Sequence, residues 1–290
     1  MFKHITLTIA ALALLASCSV KEDRMKCVAP VTVRLSGFTV SQEDFPYTRA
    51  TAVSEYNGVK ALTLAFYEGS APIYKTTQLK DDPTTFTTFG EFSASLPIGS
   101  YTMVALAYVL YDDDELTLTS PTQAEYTDGY IRETFSTTQT VNVTSTEAQE
   151  LSATLDRIVT CLQVISTDGR AAGVSKVRMS FSAGGKRFSP ETGLATVNTG
   201  SESVVGISAV VGNPSTSTGY VFLNSDEQTM DVTIETLDED GNTVYSQMVT
   251  DVSMKRNRRT ILRGALYSAN ASAGSFQLNT KWLTSAEMDF

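Results

Sequence analysis

The chain has 290 residues, a formal charge of −10 at pH 7, 42% hydrophobic residues and a single histidine, His4. An acidic chain has no electrostatic attraction for a phosphate backbone, so nucleic acid is excluded as a partner. With His4 at the extreme start, the rest of the chain has no imidazole, which removes histidine triads, histidine metal sites and histidine general bases.

In chain order, Met1-Phe2-Lys3-His4 is a short basic head, residues 5–16 form an apolar run, and Ser17-Cys18-Ser19 follows. The run falls short of the about 20 apolar residues that a membrane-spanning helix needs, so it reads as a secretory signal. Leu15-Ala16-Ser17-Cys18 resembles the bacterial lipobox, in which the chain is cut between Ser17 and Cys18 and the Cys18 sulfur is acylated. Small residues at 16 and 17 fit a narrow protease cleft, and several acyl chains, at about 0.8 kcal/mol per buried methylene, hold a protein firmly on a membrane. The expected segments are a signal peptide at 1–17 and a lipidated tether at 18–30. Lys21-Glu22-Asp23 resembles the signal that sends Bacteroidales lipoproteins to the outer face of the outer membrane, so the expected location is a surface-exposed lipoprotein there.

Beyond the tether, residues 31–35 alternate apolar and polar with period two, the pattern of a half-buried strand. Strand-like runs follow at 59–67, 73–79, 86–96 and 101–111, separated by Glu68-Gly69-Ser70, Asp81-Asp82-Pro83 and Pro97-Ile98-Gly99. Residues 103–110 are almost continuously apolar and predict a central strand buried on both faces. Residues 112–115 and 123–133 read as an acidic, irregular excursion before a run at 138–143. The polar stretch Thr144-Ser145-Thr146-Glu147-Ala148-Gln149-Glu150 is the expected boundary between two units, 31–150 and 151–290. The second unit carries runs at 151–155, 159–164, 174–181, 194–197, 204–211, 220–223, 230–237, 244–249, 260–267 and 276–282. Asp240-Gly241-Asn242 between two alternating runs predicts a tight hairpin, because its turn wants positive φ. No stretch past the signal keeps a 3.6-residue apolar period. The pattern predicts an all-β protein with two tandem antiparallel β-sandwich domains.

Chemistry-bearing clusters are few. Asp112-Asp113-Asp114-Glu115 and Asp238-Glu239-Asp240-Gly241 lack the spacing of a calcium loop and read as solvated acidic loops. Lys255-Arg256-Asn257-Arg258-Arg259 is a dense basic run, read as a loop whose charges balance neighbouring acids or as a site for an anionic partner. Tyr126, Tyr130 and Tyr245 could stack on sugar rings, or sit at strand ends with the hydroxyl in water. Cys161 falls in an apolar strand and reads as a buried small residue, whereas Cys27 falls in the tether. Nothing pairs a nucleophile with a base and no Gly-rich phosphate loop occurs; the expectation is no catalysis, no metal and no cofactor.

Four places resemble the Bacteroidales fimbrillins, the stalk, tip and anchor subunits of lipoprotein-derived fimbriae. They are the lipobox with Cys18 and Cys27 behind it; Thr48-Arg49-Ala50, similar to the site where an arginine-specific protease matures stalk subunits; Leu155-Asp156-Arg157-Ile158-Val159, similar to the opening of the second domain; and Lys255 to Leu266, where Arg256-Asn257, Arg259-Thr260, Leu262, Gly264 and Leu266 are similar to the penultimate strand. The resemblance implies transthyretin-like sandwiches and a structural subunit of a fimbrium. Its partners would be other subunits, through strand exchange, the outer membrane, through the lipid on Cys18, and adhesion partners. Cleavage between Arg49 and Ala50 would remove residues 31–49 with the lipid and open a sheet edge for a neighbour's strand. Ala286, Met288 and Phe290 alternate with polar residues to the last position and are the candidate donor strand. The run around Cys18 favours an anchor and Arg49-Ala50 a stalk or tip. The competing expectation is a surface lipoprotein that binds glycans in nutrient capture.

Overall fold

The computed structural model describes residues 28–38, 56–82, 84, 86–110, 116–268 and 277–278. Nine strands make the first half: β1 (Val28–Phe38), β2 (Ala61–Glu68), β3 (Ala71–Leu79), β4 (Glu91–Pro97), β5 (Gly99–Tyr108), β6 (Leu116–Ser120), β7 (Gln123–Tyr126), β8 (Thr134–Val143) and β9 (Gln149–Arg157). Seven of them form one hydrogen-bonded sheet, in the order β3-β2-β5-β8-β9-β1-β4. The sheet folds over between β8 and β9, which pair only at Phe135–Arg157 and Ser136–Asp156. Two layers result, and the core between them takes Leu62, Leu64 and Phe66 from one and Val31, Val33, Phe92 and Leu96 from the other.

The second half holds β10 (Thr160–Ser166), β11 (Lys176–Phe181), β12 (Arg187–Phe188), β13 (Ser201–Gly206), β14 (Thr216–Val221), β15 (Glu227–Leu237), β16 (Thr243–Lys255), β17 (Arg259–Gly264) and β18 (Gln277–Leu278). Two sheets, β14-β10-β17-β18 and β13-β11-β15-β16, enclose a second core built on Leu162, Val177, Met179, Val232, Ile234, Val252 and Leu262.

The two sandwiches share one topology, a repeat that the sequence does not display. In chain order β1, β2, β3, β4, β5, β8 and β9 occupy the places of β10, β11, β13, β14, β15, β16 and β17. Every pairing direction matches, including the one parallel pair in each: β1 with β9, and β10 with β17. The expected all-β double sandwich is therefore present, with two parallel ladders among the antiparallel ones.

The unit boundary differs from the sequence reading. The polar run at 144–150 is the turn between β8 and β9 with the first two residues of β9, and β9 belongs to the first sandwich. The chain crosses between sandwiches at Ile158-Val159, which carries no polar signal because both residues are buried in the junction. There, β6, β7 and β12 form a small third sheet that covers the outer face of β2 and β5. Leu116, Leu118, Ala124, Tyr126, Phe188 and Phe222 pack on Ala65, Tyr67, Val104 and Leu106, and the rings of Phe188 and Phe222 stack at 4.2 Å. This explains β5: Met103, Ala105 and Ala107 face the sandwich core, while Val104, Leu106 and Tyr108 face the junction. The predicted turns are present, with Gly69 at φ 63° between β2 and β3 and Gly241 at φ 87° between β15 and β16. Of the run read at 204–211, only residues to Gly206 are strand; Val210 and Val211 stand exposed in the loop after β13.

Candidate functional site

The place with most functional meaning is the slot that β1 fills. β1 lies between β4, antiparallel to it, and β9, parallel to it. Its alternation is the one visible in sequence: Ala29, Val31, Val33 and Leu35 are buried, whereas Val28, Pro30 and Arg34 face water. Val31 stands opposite Ala94 and Val33 opposite Phe92 on one side; Val33 stands opposite Leu151 and Leu35 opposite Ala153 on the other. The polar ties are weak. Arg34 reaches Glu91 at 3.4 Å and Glu150 at 3.9 Å, all three side chains about half exposed or more, where ion pairs contribute about 0–1 kcal/mol. Burial of Val31, Val33 and Leu35, at roughly 1.5–3 kcal/mol each, dominates what holds the strand. In the second sandwich the equivalent slot is filled by β10, which the chain continues from on both sides.

Beside the slot lies a buried polar junction. The Arg157 side chain is 4% exposed and pairs with Glu133 at 2.6 Å. It also donates to Asn257 Oδ1 at 3.2 Å and to the Tyr56 hydroxyl at 3.3 Å, and its guanidinium lies 4.9 Å from the centre of the Phe135 ring. The Tyr56 hydroxyl in turn donates to the Glu133 carboxylate at 2.8 Å. Burial, and the adjacent Glu133 carboxylate, push the Tyr56 hydroxyl up to about 12. Asn257 adopts φ 57° in the turn between β16 and β17, and its N–H donates to the Val159 carbonyl at 2.9 Å. Thus the run at 155–159 and the basic run at 255–259, a hundred residues apart, meet across the two sandwiches.

The other sequence candidates fall as follows. Lys255 pairs with Glu227, and Arg256 with Asp226 at 2.7 Å, so these two charges balance neighbouring acids. Asp238 caps its turn, accepting from the Asn242 N–H at 2.8 Å and its side-chain amide at 3.0 Å; these hydrogen bonds lower its pKa. Tyr126, read as exposed, whether stacking on sugars or at a strand end with its hydroxyl in water, is instead 1% exposed: its hydroxyl bonds Thr134 Oγ1 at 2.8 Å and Arg132 lies 5.0 Å from its ring centre. A half-buried hairpin packed on β5 took that ring inward. Tyr130 is exposed and Tyr245 half-buried on β16, so the three rings form no common platform. Cys161 is buried, as read, and burial pushes its thiol up to about 12. No cluster of three or more His, Cys, Asp or Glu side chains occurs among the described residues. Ser17, Cys18, Cys27, Arg49, Ala50, Asp112, Asp113, Asp114, Glu115, Ala286, Met288 and Phe290 lie outside the described residues.

Sequence reading missed Tyr56, Glu133 and Asp168. The Asp168 carboxylate accepts the backbone N–H groups of Leu266, Tyr267 and Ser268 at 2.8–2.9 Å and pins the chain where it leaves β17. A carboxylate reads as surface by type, and only the tertiary fold brings its three donors together.

Fold and slot together define an all-β double-sandwich protein in which the first described strand is seated between β4 and β9. The chain belongs to DUF6562, a family of unknown function whose model matches residues 26–282. No curated protein matches it by sequence. Among solved structures it is similar to the fimbrial anchor protein Mfa2 of Porphyromonas gingivalis, with 12% identity and a TM-score of 0.51 over 89% of this chain and 100% of that one. Two candidate adhesins of Bacteroides ovatus are similar too. One has 12% identity and a TM-score of 0.51 over 90% of this chain and 97% of its own; the other has 11% and 0.50 over 82% and 88%.

Proposed function

We propose that this chain is a non-catalytic structural subunit of a cell-surface fimbrium that contributes to adhesion, delivered as a lipoprotein through Cys18 and assembled by strand exchange at the β1 slot. The observation that carries this is the place of β1: first among the described strands, seated between β4 and β9, and retained by Val31, Val33 and Leu35 rather than by charge. Cleavage between Arg49 and Ala50 would separate β1 and the lipid together from everything that follows. The vacated slot would present the free edges of β4 and β9 over an apolar floor, a template for an alternating strand. The C-terminal alternation of Ala286, Met288 and Phe290 has the required spacing. The fold shared with a fimbrial anchor protein and with candidate adhesins supports the same reading.

The test is digestion of the purified precursor with an arginine-specific protease, followed by sizing. The expected result is loss of the segment ending at Arg49 and growth into oligomers, with Arg49→Ala blocking both. A cleaved chain that has shed β1 and stays monomeric refutes strand exchange.

A further inference from the structure

β16 has thirteen residues, and β15 is its one strand neighbour among the described residues. Its regular part begins after a bulge at Val244, where Thr243 lies opposite Leu237 and Tyr245 opposite Thr236, and ends at a second bulge. Val249 lies opposite Val232 and Val252 opposite Met230, with Asp251 at φ 54° donating its N–H to the Asp231 carboxylate at 3.1 Å. Before the second bulge the strand reads Thr243-Val244-Tyr245-Ser246-Gln247-Met248-Val249-Thr250, eight residues without a charge. Of the devices that block pairing at exposed sheet edges, lysine, proline and inward charge are absent from this stretch, and five consecutive residues, 245–249, run regularly between its two bulges. On its outward face Val244 is 44% and Met248 61% exposed. Charge sits at the two ends instead. Asp238, Glu239 and Asp240 precede the strand; Lys255, Arg256, Arg258 and Arg259 end it, with Glu227 and Asp226 paired to the first two and Asp251 four positions before Lys255.

We propose that β16 pairs antiparallel with β16 of a second copy of this chain, about a two-fold axis at Ser246. In that register Val244 of each copy faces Met248 of the other on the outer face, and Tyr245 faces Gln247 on the inner one. The antiparallel sense brings the acidic turn of each copy to the basic end of the other, whereas a parallel pair would set like charge against like. The two four-stranded sheets become one continuous sheet, and the interface is isologous, which closes at two copies. The β1 slot lies in the other sandwich, so this association is independent of strand exchange.

The test uses the full chain carrying Cys18→Ser and Cys27→Ser, which leaves buried Cys161 as its native thiol. Ser246→Cys is expected to give a disulfide-linked dimer under mild oxidation, since directly opposed residues lie about 4.5–5.5 Å apart, within disulfide reach. Glu202→Cys, on β13 at the far edge of the same sheet, should stay monomeric. Sedimentation equilibrium should show a dimer that Met248→Lys, and separately Val244→Lys, weakens at least about tenfold, because symmetry counts each substitution twice. Circular dichroism confirms that each variant is folded; both positions are exposed. A chain monomeric at all concentrations, equal cross-linking at Glu202→Cys, or a dimer indifferent to both lysines overturns the proposal.

Discussion

Arg157→Met tests the junction between the sandwiches. The native guanidinium is 4% exposed and lies 2.6 Å from Glu133, which is itself 12% exposed. Methionine fills much of the same volume but leaves the Glu133 carboxylate without its ion-pair partner and Asn257 Oδ1 without the donor at 3.2 Å. Removing one member of a buried pair costs about 3–5 kcal/mol, whereas replacing both members by neutral groups costs far less. At roughly 2–4 °C per kcal/mol for chains of this size or slightly smaller, Arg157→Met should melt on the order of 10 °C lower. Glu133→Gln added to Arg157→Met should recover about half or more of the loss. Urea titration followed by circular dichroism gives the magnitude. Hydrogen exchange gives the place: the Cys161 N–H bonded to the Arg258 carbonyl at 3.0 Å and the Asn257 N–H bonded to Val159 should exchange faster, ahead of the amides of β15. A loss under about 1 kcal/mol, or a double variant no better than the single one, refutes the argument that the buried Glu133–Arg157 pair holds Arg157 in place at the junction.

Val33→Ala should cost roughly 2 kcal/mol by equilibrium unfolding, since it empties a fully buried site between Phe92 and Leu151; Thr32→Ala, on the other face, should cost under about 0.5 kcal/mol. Asp168→Ala leaves three backbone N–H groups without their acceptor, so protection of Leu266, Tyr267 and Ser268 should collapse in hydrogen exchange while β11 stays protected. Alkaline pH should destabilise the fold. Cys161, Tyr56 and Tyr67 are pushed up to about 12 by burial, from 9.0 for the thiol and 10.0 for the phenols. Between about pH 9 and 12 the unfolded chain therefore releases protons that the folded one keeps. Stability should fall across that window, and a urea midpoint flat from pH 8 to 11 would contradict this. Native Cys161 should resist iodoacetamide at pH 8 and react once urea unfolds the chain.

How far the fold was legible depended on the range of the contacts involved. The alternation at 31–35, the apolar run inside β5 and the Asp240-Gly241-Asn242 turn are local, and each became the element its pattern predicts. The parallel pairing of β1 with β9 joins residues more than a hundred positions apart, and no local pattern encodes it. The same gap hid the repeat, since matching strands of the two sandwiches share topology without matching residues. A polar run at 144–150 looked like a linker because turns and linkers share a composition; the true crossing at Ile158-Val159 is apolar because the junction covers it. Tyr126 was misread for a related reason: β6 and β7 are short, and which face of a short hairpin is covered depends on β5 and Phe188. Arg157 stood out within a motif, but its partners Glu133 and Tyr56 did not, because carboxylates and phenols occur on any surface.

Strand exchange at the β1 slot is tested most directly by one residue, the N-terminus of the chain recovered in polymerised form from the cell surface. Mass spectrometry of the terminal peptide should find Ala50, with β1 and the acylated Cys18 gone. Assembled subunits that begin at acylated Cys18 and still carry β1 would contradict exchange at this slot.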